Sequence, residues 1–208
     1  MDLAARWFHT LGPFDIGVSH FWGTGREPRL LPSLQETGAP VLVPTYDTIH
    51  QSSLDIQATT GGWLLKLEAL TRSGQDDRFY ATVGGFEYTF GNVRNTGMDV
   101  GLLAEYHYDS RPRLNFNGQL LAATPFDDDI FLGTRLAFND VQSTNLLGGV
   151  IVDRNTRSTA LFLEAGRRLT DYLTLDLELR SFLNTEQVDP LHSFRRDGYG
   201  EIKLSYHF

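Results

Sequence analysis

The chain has 208 residues, a formal net charge of −8 and no cysteine, and it sets 14 Phe, 8 Tyr and 3 Trp in an otherwise polar composition. This length suits one domain or one barrel; the lack of cysteine excludes disulfides and thiolate chemistry, and the acidic balance without a basic cluster argues against nucleic acid as a partner. The longest apolar run is LLGGVIV at 146–152, far short of the ~18 residues a membrane helix needs, and no charged leader with an apolar core opens the sequence.

Period-two alternation predicts eleven strands, at about 2–10, 14–22, 48–59, 63–72, 78–90, 98–109, 129–139, 141–153, 158–169, 172–183 and 198–208. In the fourth, Trp63, Leu65, Leu67 and Ala69 alternate with Lys66, Glu68 and Arg72. The sixth sets Val100, Leu102, Ala104, Tyr106 and Tyr108 against Asp99, Glu105, His107 and Asp109, and the ninth sets Leu161, Leu163 and Ala165 against Glu164 and Arg168. In the tenth an unbroken row of Leu173, Leu175, Leu177 and Leu179 faces away from Thr174, Asp176, Glu178 and Arg180. The eleventh, YGEIKLSYHF, places Gly200, Ile202, Leu204, Tyr206 and Phe208 opposite Tyr199, Glu201, Lys203, Ser205 and His207. A helix would scatter these charges all round, whereas a strand with one apolar and one charged face meets a different solvent on each side. Such a wall averages to a polar composition even when one side is greasy.

A last strand that alternates without a break and ends on Phe208, after ten strands of the same pattern, resembles the closing strand of Gram-negative outer-membrane β-barrel proteins of the porin-like class. The resemblance implies an all-β fold, an antiparallel up-and-down transmembrane β-barrel spanning 1–208 as one domain, located in the bacterial outer membrane. It also implies that the barrel-assembly machinery reads the strand ending at Phe208, and that the C-terminus is periplasmic. Counting back from there makes LGP, TGG, GNVRNTG, ND and TD the periplasmic turns, and 23–47, SGQDD, 110–128, DRNTR and 184–197 the outer connections. The short-turn, long-loop asymmetry of such barrels is therefore present although it did not define the strands. Trp63, Tyr88, Phe90, Phe138 and Phe208 would form one interfacial girdle, and Trp22, Tyr80, Tyr106 and Tyr108 the other.

Eleven is odd, and bacterial single-chain barrels are even-stranded. The expectation is that a strand or strands precede residue 2 and that this chain is the C-terminal portion of a larger barrel. A hairpin at 114–126 that restores twelve is the alternative, and a soluble closed barrel with inverted faces is the rival fold. The number of charges on the polar face, set against leucine on the other, disfavours inversion.

Under this reading the lumen face carries Arg6, Asp15, Asp55, Lys66, Glu68, Arg72, Glu87, Asp99, Glu105, Arg135, Glu164, Arg168, Asp176, Glu178, Arg180, Glu201 and Lys203. Interior ion-pair ladders are the plain explanation, and a solute path set by rings of charge is the functional one. Arg135, Glu164, Arg168, Glu178 and Arg180, with Lys66, Glu68 and Glu105, are the candidate solute-path residues. Loop 23–47 carries Pro28, Pro32, Pro40 and Pro44 and is expected to be an irregular cap. Asp127, Asp128 and Asp129 offer hard oxygen ligands for Ca²⁺, but a solvated strand start is the favoured reading, and no metal site or cofactor is expected. Arg195 and Arg196 lie where lipopolysaccharide phosphates would be met, so lipid and lipopolysaccharide are the expected partners. His20, His50 and Ser52 fall on the lipid side of adjacent strands, the placement an outer-membrane lipid hydrolase needs, but no orienting acid or serine motif accompanies them. The preferred function is a porin-like channel or uptake protein for small solutes without enzymatic activity. A non-conducting barrel that presents binding loops or packs with a partner comes second, and the hydrolase third.

Overall fold

The computed structural model describes residues 1–35, 38–75, 77–111, 124–187 and 189–208. In chain order the strands are β1 (Leu3–Leu11), β2 (Phe14–Thr24), β3 (Arg29–Leu34), β4 (Pro40–Thr45), β5 (Thr48–Thr60), β6 (Trp63–Ser73), β7 (Phe79–Phe90), β8 (Asp99–Asp109), β9 (Asp128–Ala137), β10 (Asn145–Asp153), β11 (Thr159–Thr170), β12 (Leu173–Leu183) and β13 (Tyr199–Tyr206). Eleven of them form a single antiparallel up-and-down sheet in the order β1-β2-β5-β6-β7-β8-β9-β10-β11-β12-β13. All eleven predicted strands are therefore present. Connections at the end of the sheet near Phe208, the turn end, are as short as residues 12–13, 61–62 and 171–172. Those at the opposite, loop end include the long stretches 25–47 and 184–198.

Two expectations need correction. Loop 23–47 is not an irregular cap, because β3 and β4 pair within it as a separate two-stranded hairpin. Prolines fit there since each strand of a lone ribbon has one edge with no ladder to donate to. The turn written ND is also longer than expected: β9 ends at Ala137 and β10 starts at Asn145. The Asp140 carboxylate accepts the Thr144 N–H at 2.7 Å and the Thr144 hydroxyl at 2.7 Å, closing 138–144 as a turn that continued alternation had concealed. The alternative hairpin at 114–126 falls almost wholly outside the described residues.

Register fixes the faces. Paired residues share a face of the sheet, and following the pairs from strand to strand puts all seventeen charged residues predicted for one side on one side. The opposite side keeps an exposed belt of large apolar residues that includes Trp7, Leu65, Leu102, Leu132, Leu161 and Leu179. Both predicted aromatic bands belong to that belt, and at the turn end the Trp63 and Tyr88 rings lie 4.6 Å apart, as do those of Tyr88 and Phe90.

On the polar face, side chains from strands that are not neighbours meet over a glycine of the strand between them. Arg6 of β1 reaches Asp55 of β5 over Gly17, and Phe131 of β9 stacks on Phe162 of β11 over Gly149, with ring centroids 5.5 Å apart. A Cβ on Gly17 would lie 2.2 Å from Asp55 Oδ2, and one on Gly149 would lie 2.4 Å from the Phe131 ring. Next-but-one strands lie about 10 Å apart, so such contacts need long side chains and an empty position between, on a face that curves inward.

The sheet is open. β1 and β13 are its edges, and nearly every residue of both is exposed. Because eleven antiparallel strands separate into alternating directions, these two edges run the same way.

Candidate functional site

The polar face divides into two kinds of wall. Across β6 to β9 the charges are matched in pairs over glycines: Lys66 Nζ lies 3.7 Å from Glu105 Oε1 over Gly85, and Arg135 Nη2 lies 3.6 Å from Glu87 Oε2 beside Gly101. The Glu87 side chain is only 9% exposed while that of Arg135 is 52% exposed, so the arginine supplies the countercharge to a carboxylate that has lost most of its water. Glu68 shares this region and lines a hollow of about 270 Å³ with Phe8, Asp15, Asp55 and Lys66.

Across β11 to β13 the pattern changes. Glu164, Glu178 and Glu201 stand directly opposite one another in one row. Like charges in register repel, so this row needs compensation. Arg180 provides it on one side, donating from Nη2 to Glu164 Oε1 at 3.0 Å and from Nε to Glu178 Oε1 at 2.6 Å. The Tyr199 hydroxyl also donates to Glu178. The row borders a hollow of about 340 Å³ lined by Asn145, Gly166, Asp176, Glu201 and Lys203 among others. The structure thus brings Glu164, Glu178 and Arg180 together, keeps Lys66 with Glu105, and joins Arg135 to Glu87. Arg168 shares the face but stands two rows from the glutamates, and its guanidinium donates to the Val141 carbonyl.

At the loop end a third group closes over the polar face. Glu27 accepts from Arg72 at 2.8 Å and from Arg111 at 3.4 Å, and Arg111 also pairs with Asp109 at 2.7 Å. Both guanidiniums stack on the Phe79 ring, with Arg111 4.5 Å and Arg72 5.5 Å from its centroid. Nothing in the sequence singles out Glu27 or Arg111, because Arg72 and Arg111 stand 45 and 84 residues from Glu27 and no periodicity links a loop to a strand.

The aspartate run at 127–129 also behaves differently from its expected reading. Strand alternation turns Asp128 to the apolar side, where it accepts from the Tyr106 hydroxyl at 2.7 Å and from Arg154 at 3.0 Å. Asp127 and Asp129 instead meet Asp153, and one carboxylate oxygen from each of the three lies within 4.8 Å of the others. Asp153 comes from the end of β10, which pairs with the start of β9 at Asp129.

On the opposite face the His20 Nδ1 and Ser52 Oγ atoms are 2.9 Å apart, both side chains being exposed. His50 stacks beside them, 6.1 Å from the His20 ring and 6.2 Å from Trp22. Arg195 is occupied internally, donating to the His192 carbonyl at 2.8 Å, while Arg196 is exposed. Comparison with family models, with curated proteins and with solved structures found no match to this chain.

Proposed function

We propose that the chain forms the wall of a bacterial outer-membrane β-barrel of the porin-like class and serves as a channel or uptake protein for small solutes. One observation carries the reading: across all eleven strands the charged side chains fall on one side, apart from Asp128 and Arg167 near strand ends, and the other side exposes a belt of Leu, Phe, Tyr and Trp. An exposed apolar belt of that extent on a folded wall marks a surface covered by lipid or by another apolar surface. In hydrocarbon an unpaired sheet edge is prohibitively costly, so a spanning state pairs β1 and β13. Since these edges run in the same direction, antiparallel closure takes an odd number of further strands. The assembly machinery would read the β13 end at Phe208, and lipid and lipopolysaccharide would surround the belt.

Reconstitution into planar bilayers tests this directly. Stepwise conductance is the expected result; a protein that inserts but gives no steps belongs to the second reading, a non-conducting barrel that presents its loop end. A chain that stays soluble and monomeric without detergent refutes both. The His20–Ser52 contact supports a third reading, an outward-facing lipid hydrolase in which imidazole activates the hydroxyl. It ranks below the others because no carboxylate or amide orients His20 among the described residues. Phospholipid hydrolysis by the purified protein that Ser52→Ala abolishes would raise it to first place.

A further inference from the structure

We propose that Arg72 and Arg111 form a seat for the carboxylate of a small organic acid, and that Glu27, at the root of the β3–β4 hairpin, occupies this seat as a ligand supplied by the chain itself. The geometry of the two guanidiniums carries the inference. Arg72 Nη1 donates to Glu27 Oε2 at 2.8 Å and Arg111 Nη1 to Glu27 Oε1 at 3.4 Å, so each carboxylate oxygen meets a different arginine. Both guanidiniums lie over the Phe79 ring, which gathers two like charges at the loop end of the polar face.

The seat has supports other than Glu27. Arg72 Nε donates to Gln51 Oε1 at 2.9 Å, and Gln51, Arg72 and Phe79 are cross-strand neighbours on β5, β6 and β7. Asp109 at the end of β8 holds Arg111, accepting from its Nε at 3.0 Å and from its Nη2 at 2.7 Å. The wall thus fixes both cations by contacts of its own, whereas Glu27 belongs to the connection that leads into the separate hairpin. Two arginines and two carboxylates balance. With Glu27 withdrawn the group keeps a positive charge in excess, on side chains only 19% and 25% exposed. Guanidiniums with donors turned to one point bind carboxylate oxygens in charge-assisted hydrogen bonds. The occupant already in place is a carboxylate, and this sets the class of ligand.

Withdrawal needs a hairpin that can leave as a unit. β3 and β4 pair with each other and with no strand of the large sheet. The Gln35 N–H donates to the Ala39 carbonyl at 2.9 Å, so the alternation of the ladder turns the N–H groups of positions 30, 32, 34, 40, 42 and 44 outward. Pro32, Pro40 and Pro44 fill three of these six positions, and neither outer edge offers a full row of donors to the wall. Other ties at the root run from the Gln75 side chain to the Glu27 carbonyl at 3.1 Å and from Arg29 to the Gln75 carbonyl at 3.2 Å, and the ribbon would turn about them. An external carboxylate and the hairpin therefore compete for one seat.

The seat does not depend on the channel reading, because its test uses the full chain purified in detergent and needs no conduction. Ser33→Cys, at an exposed position of β3, gives a single thiol for a fluorophore in a chain without native cysteine. Sodium succinate is titrated against NaCl at matched ionic strength; calorimetry reads binding and the anisotropy of the label reads the hairpin. Succinate is expected to lower the anisotropy saturably where chloride does not. Glu27→Ala should lower the anisotropy without ligand and tighten succinate binding by about tenfold, the effect of one charge-assisted hydrogen bond. Arg72→Gln in the same background should weaken that binding by about tenfold, and Arg111→Gln provides the same readout if the Arg72 variant does not fold. Succinate binding no tighter in Glu27→Ala than in the wild-type chain overturns the proposal, as does binding that survives both arginine substitutions or an anisotropy that succinate and chloride change alike.

Discussion

The walls β6–β9 and β11–β13 are built on the same alternation, yet they handle charge in opposite ways. In the first, an acid and a base meet over a glycine, and the more buried partner of one pair, Glu87, depends on an exposed arginine. In the second, three glutamates oppose one another and a single arginine bridges two of them, with all these side chains open to solvent to a third or more. Matched pairs over close-packed glycines make a stiff wall. A row of like charges beside a hollow is poor structural engineering, and it is the place where a solute or cation could supply what the fold withholds.

The stiff wall should break first and most severely at its glycines. A Cβ at Gly85 would lie 2.3 Å from the Ala104 carbonyl oxygen and 2.8 Å from Glu105 Cα, backbone atoms that cannot rotate aside. Gly85→Ala is expected to cost about 3 kcal/mol, the upper part of the range for overpacking, read as a lower urea midpoint for unfolding followed by tryptophan fluorescence. Gly12→Ala probes a different cause. A Cβ there meets nothing, and the penalty comes from a φ of +59° alone, so it should be about 1 kcal/mol. Equal losses for the two would show that close approach is not what the glycines of the wall provide.

Truncating the two arginines sharpens the contrast. Arg135→Ala leaves the Glu87 carboxylate buried without its countercharge, and the expected loss is about 1–3 kcal/mol. Arg180→Ala removes contacts to exposed carboxylates, Glu164 at 46% and Glu178 at 34%, where screening reduces an ion pair to under about 1 kcal/mol. Its effect should appear in function: with the glutamate row uncompensated, a conducting protein shifts its reversal potential toward cations. If Arg180→Ala destabilises more than Arg135→Ala, the acidic row is structural and the division between the walls is wrong.

Much of this architecture was legible in the sequence because period-two alternation is a local signal. Eleven strands, their faces and the sidedness of seventeen charges follow from it, since pairing only carries the alternation sideways. What stayed hidden depends on residues far apart in the chain. Glu27 with Arg111, Asp153 with Asp129 and the contacts over Gly17 and Gly149 are set by register and curvature, which no window of residues contains. Which pair of side chains each glycine admits is set in the same way. Prolines misled at β3–β4 because their cost depends on which edge they occupy, and residues 141–144, which lengthen the ND turn, were hidden inside an apparent strand.

That turn supplies the mildest test, at the boundary between the two walls. Asp140 is half-buried, and the Thr144 N–H and hydroxyl hold its carboxyl below the ordinary aspartate range. A carboxyl whose folded pKa is depressed stabilises the folded turn at every pH above its unfolded value, about 3.9. The contribution is lost as the pH falls through the lower, folded value. Amide exchange at Thr144 should therefore stay slow from neutrality down to about pH 4 and accelerate only below it, while Asp140→Asn should flatten this pH step without moving the urea midpoint measurably. The glutamate row one strand further on relies on the Arg180 and Tyr199 side chains instead. Acid should therefore loosen the turn by weakening its amide acceptor. A pH step that survives Asp140→Asn would show that another group holds the turn.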